Sequence, residues 1–106
     1  MSPLEQTILS RLKQMVTERA PLHQMIVFGS RARNQAEPDS DMNVLVVLQD
    51  PVDEAMEDVV SACAWEAGFE HGIVVAPVTI SRQAWEEGPE RNSLLAIAIH
   101  NEGIAV

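Results

Sequence analysis

The stretch FGSRARNQAEPDSDMNVLVVL, residues 28–48, decides the fold of this chain. It begins where one apolar run stops at a Gly-Ser pair, Gly29 and Ser30. After an interval of ten residues, Asp41 and Asn43 stand at the head of a second apolar run. The interval contains Asn, Pro, Asp and Ser, which favour turns and loops. The stretch therefore predicts two strands joined by a polar loop.

Helices are predicted on both sides of these strands. The segment SPLEQTILSRLKQMVTERA, residues 2–20, begins with a capping sequence and carries apolar residues at helical spacing. Further along, the patterns predict a helix from Pro51 to Gly68, a strand over GIVVAPVTI, a short helix after Ser81 and a last helix over NSLLAIAIHNEG. Pro77 indicates an edge position or a bulge in the third strand. The alternation predicts one α/β domain, residues 1–106, with helices packed on a small mixed β-sheet.

Composition narrows the class of protein. The chain has 106 residues, 46% of them hydrophobic, which is typical of one globular domain. Its 16 acids and 7 bases give a formal charge of −9, so broad nucleic-acid binding is not expected. No apolar run approaches the roughly 20 residues of a membrane span, and the N-terminus lacks a signal pattern, so we expect a cytoplasmic location. The single cysteine, Cys63, excludes an internal disulfide and is expected in the core.

One end of the decisive stretch offers ligands for a metal ion. Side chains alternate between the two faces of a strand, so Asp41 and Asn43 point the same way. Carboxylate and amide oxygens suit a hard cation such as Mg²⁺. We therefore assign Asp41 and Asn43 as candidate metal ligands, and only a family resemblance would make them candidate catalytic residues.

The other end offers groups that bind phosphate. Gly29 permits a close backbone approach. The Ser30 hydroxyl and the N–H groups after it can hold phosphate oxygens if a helical turn begins there. Arg31 and Arg33 supply positive charge in an otherwise acidic chain. These four residues form the candidate phosphate-binding set for a nucleotide.

The two motifs together resemble a known family. FGSRAR (residues 28–33), the ten-residue interval, and PDSDMNVLV (residues 38–46) resemble the minimal nucleotidyltransferase family of the polymerase-beta-like superfamily. The resemblance implies transfer of a nucleoside monophosphate from an Mg²⁺-bound nucleoside triphosphate such as ATP to a hydroxyl acceptor. It implies that Gly29 and Ser30 hold the triphosphate and that Asp41 binds one of two Mg²⁺ ions. The close match covers about a fifth of the chain.

The chain departs from that family at two of three expected carboxylates. Position 43 is the second, metal-bridging acid of the family, and here it is Asn43. An amide keeps an oxygen donor but has no negative charge and cannot act as a base. The third-strand segment GIVVAPVTI contains no acid, while Glu70 precedes it and Glu86 follows it. Removing one preorganised charge from such a site typically costs ~10²–10³-fold in rate.

Three functions stay open on this basis. The chain is an active, slow nucleotidyltransferase; or a degenerate member that binds nucleotide without transfer; or an antitoxin-like subunit that binds a partner protein. The last helix bears on the third possibility, because Leu94, Leu95, Ile97 and Ile99 surround much of it. Such a wide apolar surface is either deeply buried or an interface, so a protein partner or a homodimer is expected.

The aromatic residues and histidines carry weaker signals. Trp65 and Trp85 are expected to pack along helix faces, although Trp85 alternatively borders a base-binding pocket. The three histidines have no metal-ligand spacing. The acidic residues of the second helix are expected to face water.

Overall fold

The computed structural model describes residues 1–106 and has the predicted alternation of helices and strands. Its helices are α1 (Pro3–Arg19), α2 (Glu54–Phe69), α3 (Arg82–Glu87) and α4 (Leu94–Glu102), with a 3-10 turn at Pro89–Asn92. Its strands are β1 (Leu22–Phe28), β2 (Met42–Leu48), β3 (Val75–Ser81) and β4 (Ile104–Ala105). No helix has both the length and the apolar character that crossing a membrane requires.

The four strands form one mixed sheet in the order β3-β2-β1-β4. β1 pairs antiparallel with β2 and with β4, whereas β2 pairs parallel with β3. The predicted α/β class with a small mixed sheet is therefore confirmed. β2 is central, as its long apolar run requires, and β3 is an edge strand. Pro77 lies in that edge strand, where its missing N–H removes no hydrogen bond from the interior of the sheet.

Alternation along β2 builds a core on each face of the sheet. Met42, Val44 and Val46 are fully buried on the face that α1 and α2 cover. On the opposite face, Leu45 and Val47 pack in a second, smaller core with these residues of β1, α3 and α4: Ile26, Trp85, Ala96 and Ile99. Burying each such side chain contributes roughly 1.5–3 kcal/mol before chain entropy is subtracted. Both faces of β2 are thus committed to packing from residue 44 onward.

Asp53 determines where α2 begins. Its side chain accepts a hydrogen bond of 2.8 Å from the Met56 N–H, and the first helical residue is Glu54. The predicted start at Pro51 was therefore wrong, because an aspartate cap satisfies the free N–H groups that a proline cannot. The acidic residues of α2 face solvent as expected, and Cys63 is fully buried.

Two expectations about apolar surface are settled by packing. Trp65 packs against Phe69, one turn along its own helix, with ring centroids 5.7 Å apart, and it is 62% exposed. Trp85 is buried, as predicted. In α4 only Ala96 and Ile99 are buried, whereas Leu94 is 87% exposed. Of the two readings of α4, the structure favours an exposed apolar surface.

Candidate functional site

The turn after β1 presents free backbone donors. Gly29 has φ +81°, a conformation that glycine adopts without strain. From there the chain makes one helical turn, in which the Arg33 N–H donates to the Gly29 carbonyl at 3.1 Å. Asn34, with φ +58°, ends this turn. The N–H groups of residues 30–32 donate no hydrogen bond within the protein, so they are available to an anion.

The start of β2 lies against this turn. Asn43 pairs with Phe28, the residue before Gly29, in the antiparallel ladder. A Cβ built on Gly29 would lie 2.7 Å from the Asn43 Nδ2 atom, so any side chain at position 29 would collide with the amide. Two residues earlier, Asp41 is exposed. The side chains of Asp41 and Asn43 make no hydrogen bond within the protein, which leaves their oxygens free for a ligand.

The structure thus brings four of the predicted residues to one end of the sheet: Gly29, Ser30, Asp41 and Asn43. They meet because β1 ends where its antiparallel partner β2 begins. The strand pairing brings Gly29 into direct contact with Asn43, which lies fourteen positions later in the sequence. The free N–H donors of the turn and the free carboxylate of Asp41 therefore lie at the same end of the sheet.

The Arg31 side chain is buried and bonded to partners within the protein. Its side chain is 6% exposed, and its Nη1 lies 3.0 Å from the Glu5 Oε2 atom on α1. Its Nε donates to the Ser40 carbonyl at 3.0 Å, and Nη2 donates to the Pro38 carbonyl at 3.3 Å. These contacts link the loop to α1, and a direct contact from Arg31 to phosphate stays a prediction.

Arg33 is more accessible than Arg31. Its Nη1 lies 3.0 Å from the Glu102 Oε2 atom at the end of α4, and both side chains are about two-fifths exposed. An exposed ion pair of this kind contributes only about 0–1 kcal/mol, so a polyanion can displace the carboxylate. Arg33 is therefore the more accessible of the two arginines, and its contact with phosphate stays a prediction.

The neighbouring strand supplies no third carboxylate. In the parallel register of β2 and β3, Ala76 is the partner of Asn43. The Glu70 Oε2 atom instead lies 3.7 Å from the Arg11 Nη1 atom. Glu86 forms an ion pair with Arg82 within α3. No group of three His, Cys, Asp or Glu residues is placed to hold a metal ion. β3, Val75–Ser81, thus carries no acidic residue beside Asn43.

These donors do not fit a pair of metal ions. Two Mg²⁺ ions held at neighbouring positions need a bridging carboxylate, but an amide stands at position 43, and no group of three His, Cys, Asp or Glu residues is placed to hold a metal ion. Asp41 and the Asn43 amide oxygen fit one hard cation that also binds the phosphates of a nucleotide. The chain thus lacks the charge for the two-metal chemistry that the resemblance implies.

The model of one family matches almost the whole chain. It is the nucleotidyltransferase domain model, and it matches residues 9–106. The chain belongs to the nucleotidyltransferase domain family. The close sequence motif covers a fifth of the domain, and the family match extends that likeness over α1 from residue 9, the full sheet and α4. No curated protein gives a significant sequence match.

Solved structures with the same fold come from toxin–antitoxin complexes. A chain of a toxin–antitoxin complex with AMP-PNP has a TM-score of 0.62 at 16% identity, over 95% of this domain and 70% of that chain. One chain of the complex between the tri-AMPylated Shewanella oneidensis HEPN toxin and MNT antitoxin has a TM-score of 0.56 at 13% identity. The match covers 96% of this domain and 70% of that chain. A chain of a mutant MntA-HpeT toxin–antitoxin pair has a TM-score of 0.58 at 14% identity, over 95% and 70%. At these identities the likeness establishes the fold.

Two further features near the site were not expected from sequence. Glu5 is buried against Arg31, although the Ser2-x-x-Glu5 pattern indicated only a helix cap. An apolar cavity of about 240 Å³ lies between the sheet and α4, and its lining includes Leu45, two residues after Asn43. Trp85 lines the same cavity, and its ring stacks on the His100 ring with the ring centroids 4.8 Å apart. A sequence signal for the cavity exists only in the apolar alternation of β2 and β3.

Proposed function

We propose that this domain binds a nucleoside triphosphate with Mg²⁺ and has lost most or all of its nucleotidyl transfer. The free N–H groups of residues 30–32 and the Ser30 hydroxyl hold the phosphates, and Asp41 holds the cation. A bound Mg²⁺ supplies positive charge that neutralises the phosphate oxygens. The observation that carries the proposal is the pairing of Asn43 with Ala76, because both positions lack the charge that transfer requires.

Nucleotide binding persists without catalysis for a physical reason. Phosphate binding uses backbone donors that any sequence retains as long as Gly29 keeps φ +81°. Transfer also needs negative charge that holds a second cation and activates the attacking hydroxyl. Asn43 and its uncharged strand neighbour Ala76 do not meet the second requirement, whereas the turn at Gly29 meets the first.

Calorimetry with the four ribonucleoside triphosphates, with and without Mg²⁺, tests the proposal. The wild-type domain is expected to bind at least one of them in a Mg²⁺-dependent manner. Asp41→Asn should weaken that binding by about tenfold or more, since it removes the only charged metal ligand. Asp39→Asn is the matched control, because Asp39 is an exposed acid of the same loop. Absence of binding for every nucleotide overturns the proposal.

A transfer assay separates this function from its alternative. The alternative is an active enzyme that transfers a nucleoside monophosphate to a protein hydroxyl, and the retention of Asp41 favours it. Incorporation of α-labelled nucleotide into protein by the wild-type domain, abolished by Asp41→Asn, would establish the alternative. Mg²⁺-dependent binding without incorporation establishes the binding function.

We also propose that α4 is a protein-binding surface in a cytoplasmic protein. Leu94, Leu95 and Ile97 are 87%, 48% and 47% exposed on one helix, and isolated surface leucines are normal whereas such a cluster indicates contact. The toxin–antitoxin complexes of similar fold each hold a protein partner. Sedimentation velocity of wild type and Leu94→Lys tests for a homodimer. A monomer at all concentrations overturns self-association and leaves a different protein as the partner.

A further inference from the structure

Glu5 and Arg31 are the two charged residues that the fold buries, and they bind each other. Each is 7% exposed, and the Arg31 Nη1 lies 3.0 Å from the Glu5 Oε2 atom. Burying an ion pair costs desolvation energy that its attraction only partly recovers, so a buried pair is weak evidence for a stabilising role.

The Glu5 end of the pair is fixed to the core. Its Oε1 accepts a hydrogen bond of 2.8 Å from the Ser2 N–H, and the Ser2 hydroxyl accepts one of 3.1 Å from the Glu5 N–H. This reciprocal cap sits on a 17-residue helix whose Ile8 and Leu12 are fully buried. Glu5 is thus held by the same helix that anchors one face of the sheet.

The Arg31 end reaches across the loop that carries the candidate site. Arg31 itself follows Ser30 in the phosphate-binding turn. Its guanidinium binds the Ser40 carbonyl, and Ser40 immediately precedes Asp41. One side chain therefore connects the two halves of the site, and Glu5 is its only charged partner.

We propose that Glu5 is a positioning residue for the nucleotide site, acting through Arg31. The inference rests on the proposed nucleotide binding. Without the carboxylate, the Arg31 guanidinium is a buried cation with no counter-charge, which is strongly unfavourable. The side chain then moves toward water and releases the Ser40 carbonyl. Asp41 and the turn at Ser30 lose their fixed separation, and the site that binds both cation and phosphates is no longer preformed.

Glu5 lies outside both the sequence motif at residues 28–46 and the matched family region, which begins at residue 9. Arg31 lies inside the motif, where its charge indicated phosphate binding. The geometry assigns that charge a different partner, and it extends the functional unit back to the first turn of α1.

Nucleotide affinity of Glu5→Gln tests the proposal. Glutamine keeps the length and the acceptor for the Ser2 N–H but removes the charge that holds Arg31. Calorimetry with Mg²⁺-ATP at 10 °C is expected to show a dissociation constant about 10–100-fold higher, the size usual for residues that orient a ligating group. Glu18→Gln is the matched control, since Glu18 is an exposed acid near the other end of α1. Its affinity should equal that of wild type.

A double-mutant comparison shows whether Glu5 acts through Arg31. In an Arg31→Met background, adding Glu5→Gln should change the dissociation constant less than twofold, because the link is already broken. A further tenfold loss would mean that Glu5 acts by another route and would overturn the proposal. If Glu5→Gln fails to fold, Glu5→Asp retains the charge on a shorter side chain and should raise the dissociation constant by about 3–10-fold.

The outcomes separate this inference from the proposed function. If wild type binds no nucleotide, the proposed function fails first. If wild type binds and Glu5→Gln binds equally well while melting at a lower temperature, the ion pair serves stability alone and the positioning role is overturned.

Discussion

Replacing Gly29 with alanine tests the close approach that defines the site. Two costs are expected. Alanine at φ +81° incurs about 1–2 kcal/mol of left-handed strain, offset by about 0.4–1 kcal/mol from a stiffer unfolded chain. The new Cβ would also lie 2.7 Å from the Asn43 Nδ2 atom, where ordinary contact begins at 3.4 Å. Asn43 must turn away from its rotamer, which costs about 0.5–1.5 kcal/mol.

Gly72 provides the matched control. It has φ +67°, and a Cβ built there would meet no atom within 4 Å. Gly72→Ala should therefore carry the backbone cost alone, about 1 kcal/mol. Gly29→Ala should lower the free energy of unfolding by about 1.5–2.5 kcal/mol. In an Asn43→Ala background the collision disappears, and Gly29→Ala should cost as little as Gly72→Ala.

Urea unfolding followed by tryptophan fluorescence measures these differences. Trp85 is buried and reports the transition, whereas Trp65 is already largely exposed. Equal slopes with denaturant are needed for the comparison, because they show that the unfolded states are alike. If Gly29→Ala costs the same with and without the Asn43 side chain, the amide does not lie against the turn. That result would refute the geometry from which the phosphate-binding role is argued.

Three further predictions concern charge at and near the site. Asn43→Asp combined with Ala76→Asp should raise nucleotide transfer by at least ~10²-fold in a labelled-ATP assay; a variant that binds ATP yet transfers no faster would contradict the assignment of these positions. Glu102→Gln should free Arg33 and strengthen Mg²⁺-ATP binding by up to about fivefold at low salt, and an unchanged dissociation constant would argue against a phosphate contact from Arg33. Burial raises the pKa of Glu5, but hydrogen bonds from the Ser2 N–H and from Arg31 outweigh it and hold the pKa below its ordinary value of 4.5. The stability that this adds is present above pH 4.5 and is lost as the pH falls through the folded-state pKa. The difference in unfolding free energy between wild type and Glu5→Gln should therefore shrink below pH 4.5, and a constant difference would contradict the ionised pair.

The elements of the fold follow from local patterns in the chain. Ser2 and Glu5 mark the start of α1 through a capping box, and the structure contains both of its hydrogen bonds. The apolar run of β2 predicts a central strand because only a strand covered on both faces needs apolar residues at consecutive positions. Pro77 predicts an edge strand for an equally local reason. Such features depend on residues within about one helical turn of each other, which is why a single sequence suffices to read them.

Surface exposure was harder to predict than element type. Trp65 lies on a helix with a clear buried stripe, yet it falls on the opposite side and is exposed. In α4 the apolar residues surround the helix so widely that periodicity does not identify one buried face. Which face is covered depends on where the sheet and α3 lie, and those positions arise from contacts between distant parts of the chain.

The sequence by itself determined the family motif, the order of helices and strands, and the loss of charge at position 43. Tertiary structure alone decided three things about the site. It placed Ala76 beside Asn43, which depends on the register of two strands that are far apart in sequence. It buried Arg31 in an ion pair with Glu5, and it left Arg33 accessible at the surface. The physical reason is the same in each case: the sequence states which side chains exist, but only the packing of helices and the pairing of strands determine which side chain each one meets.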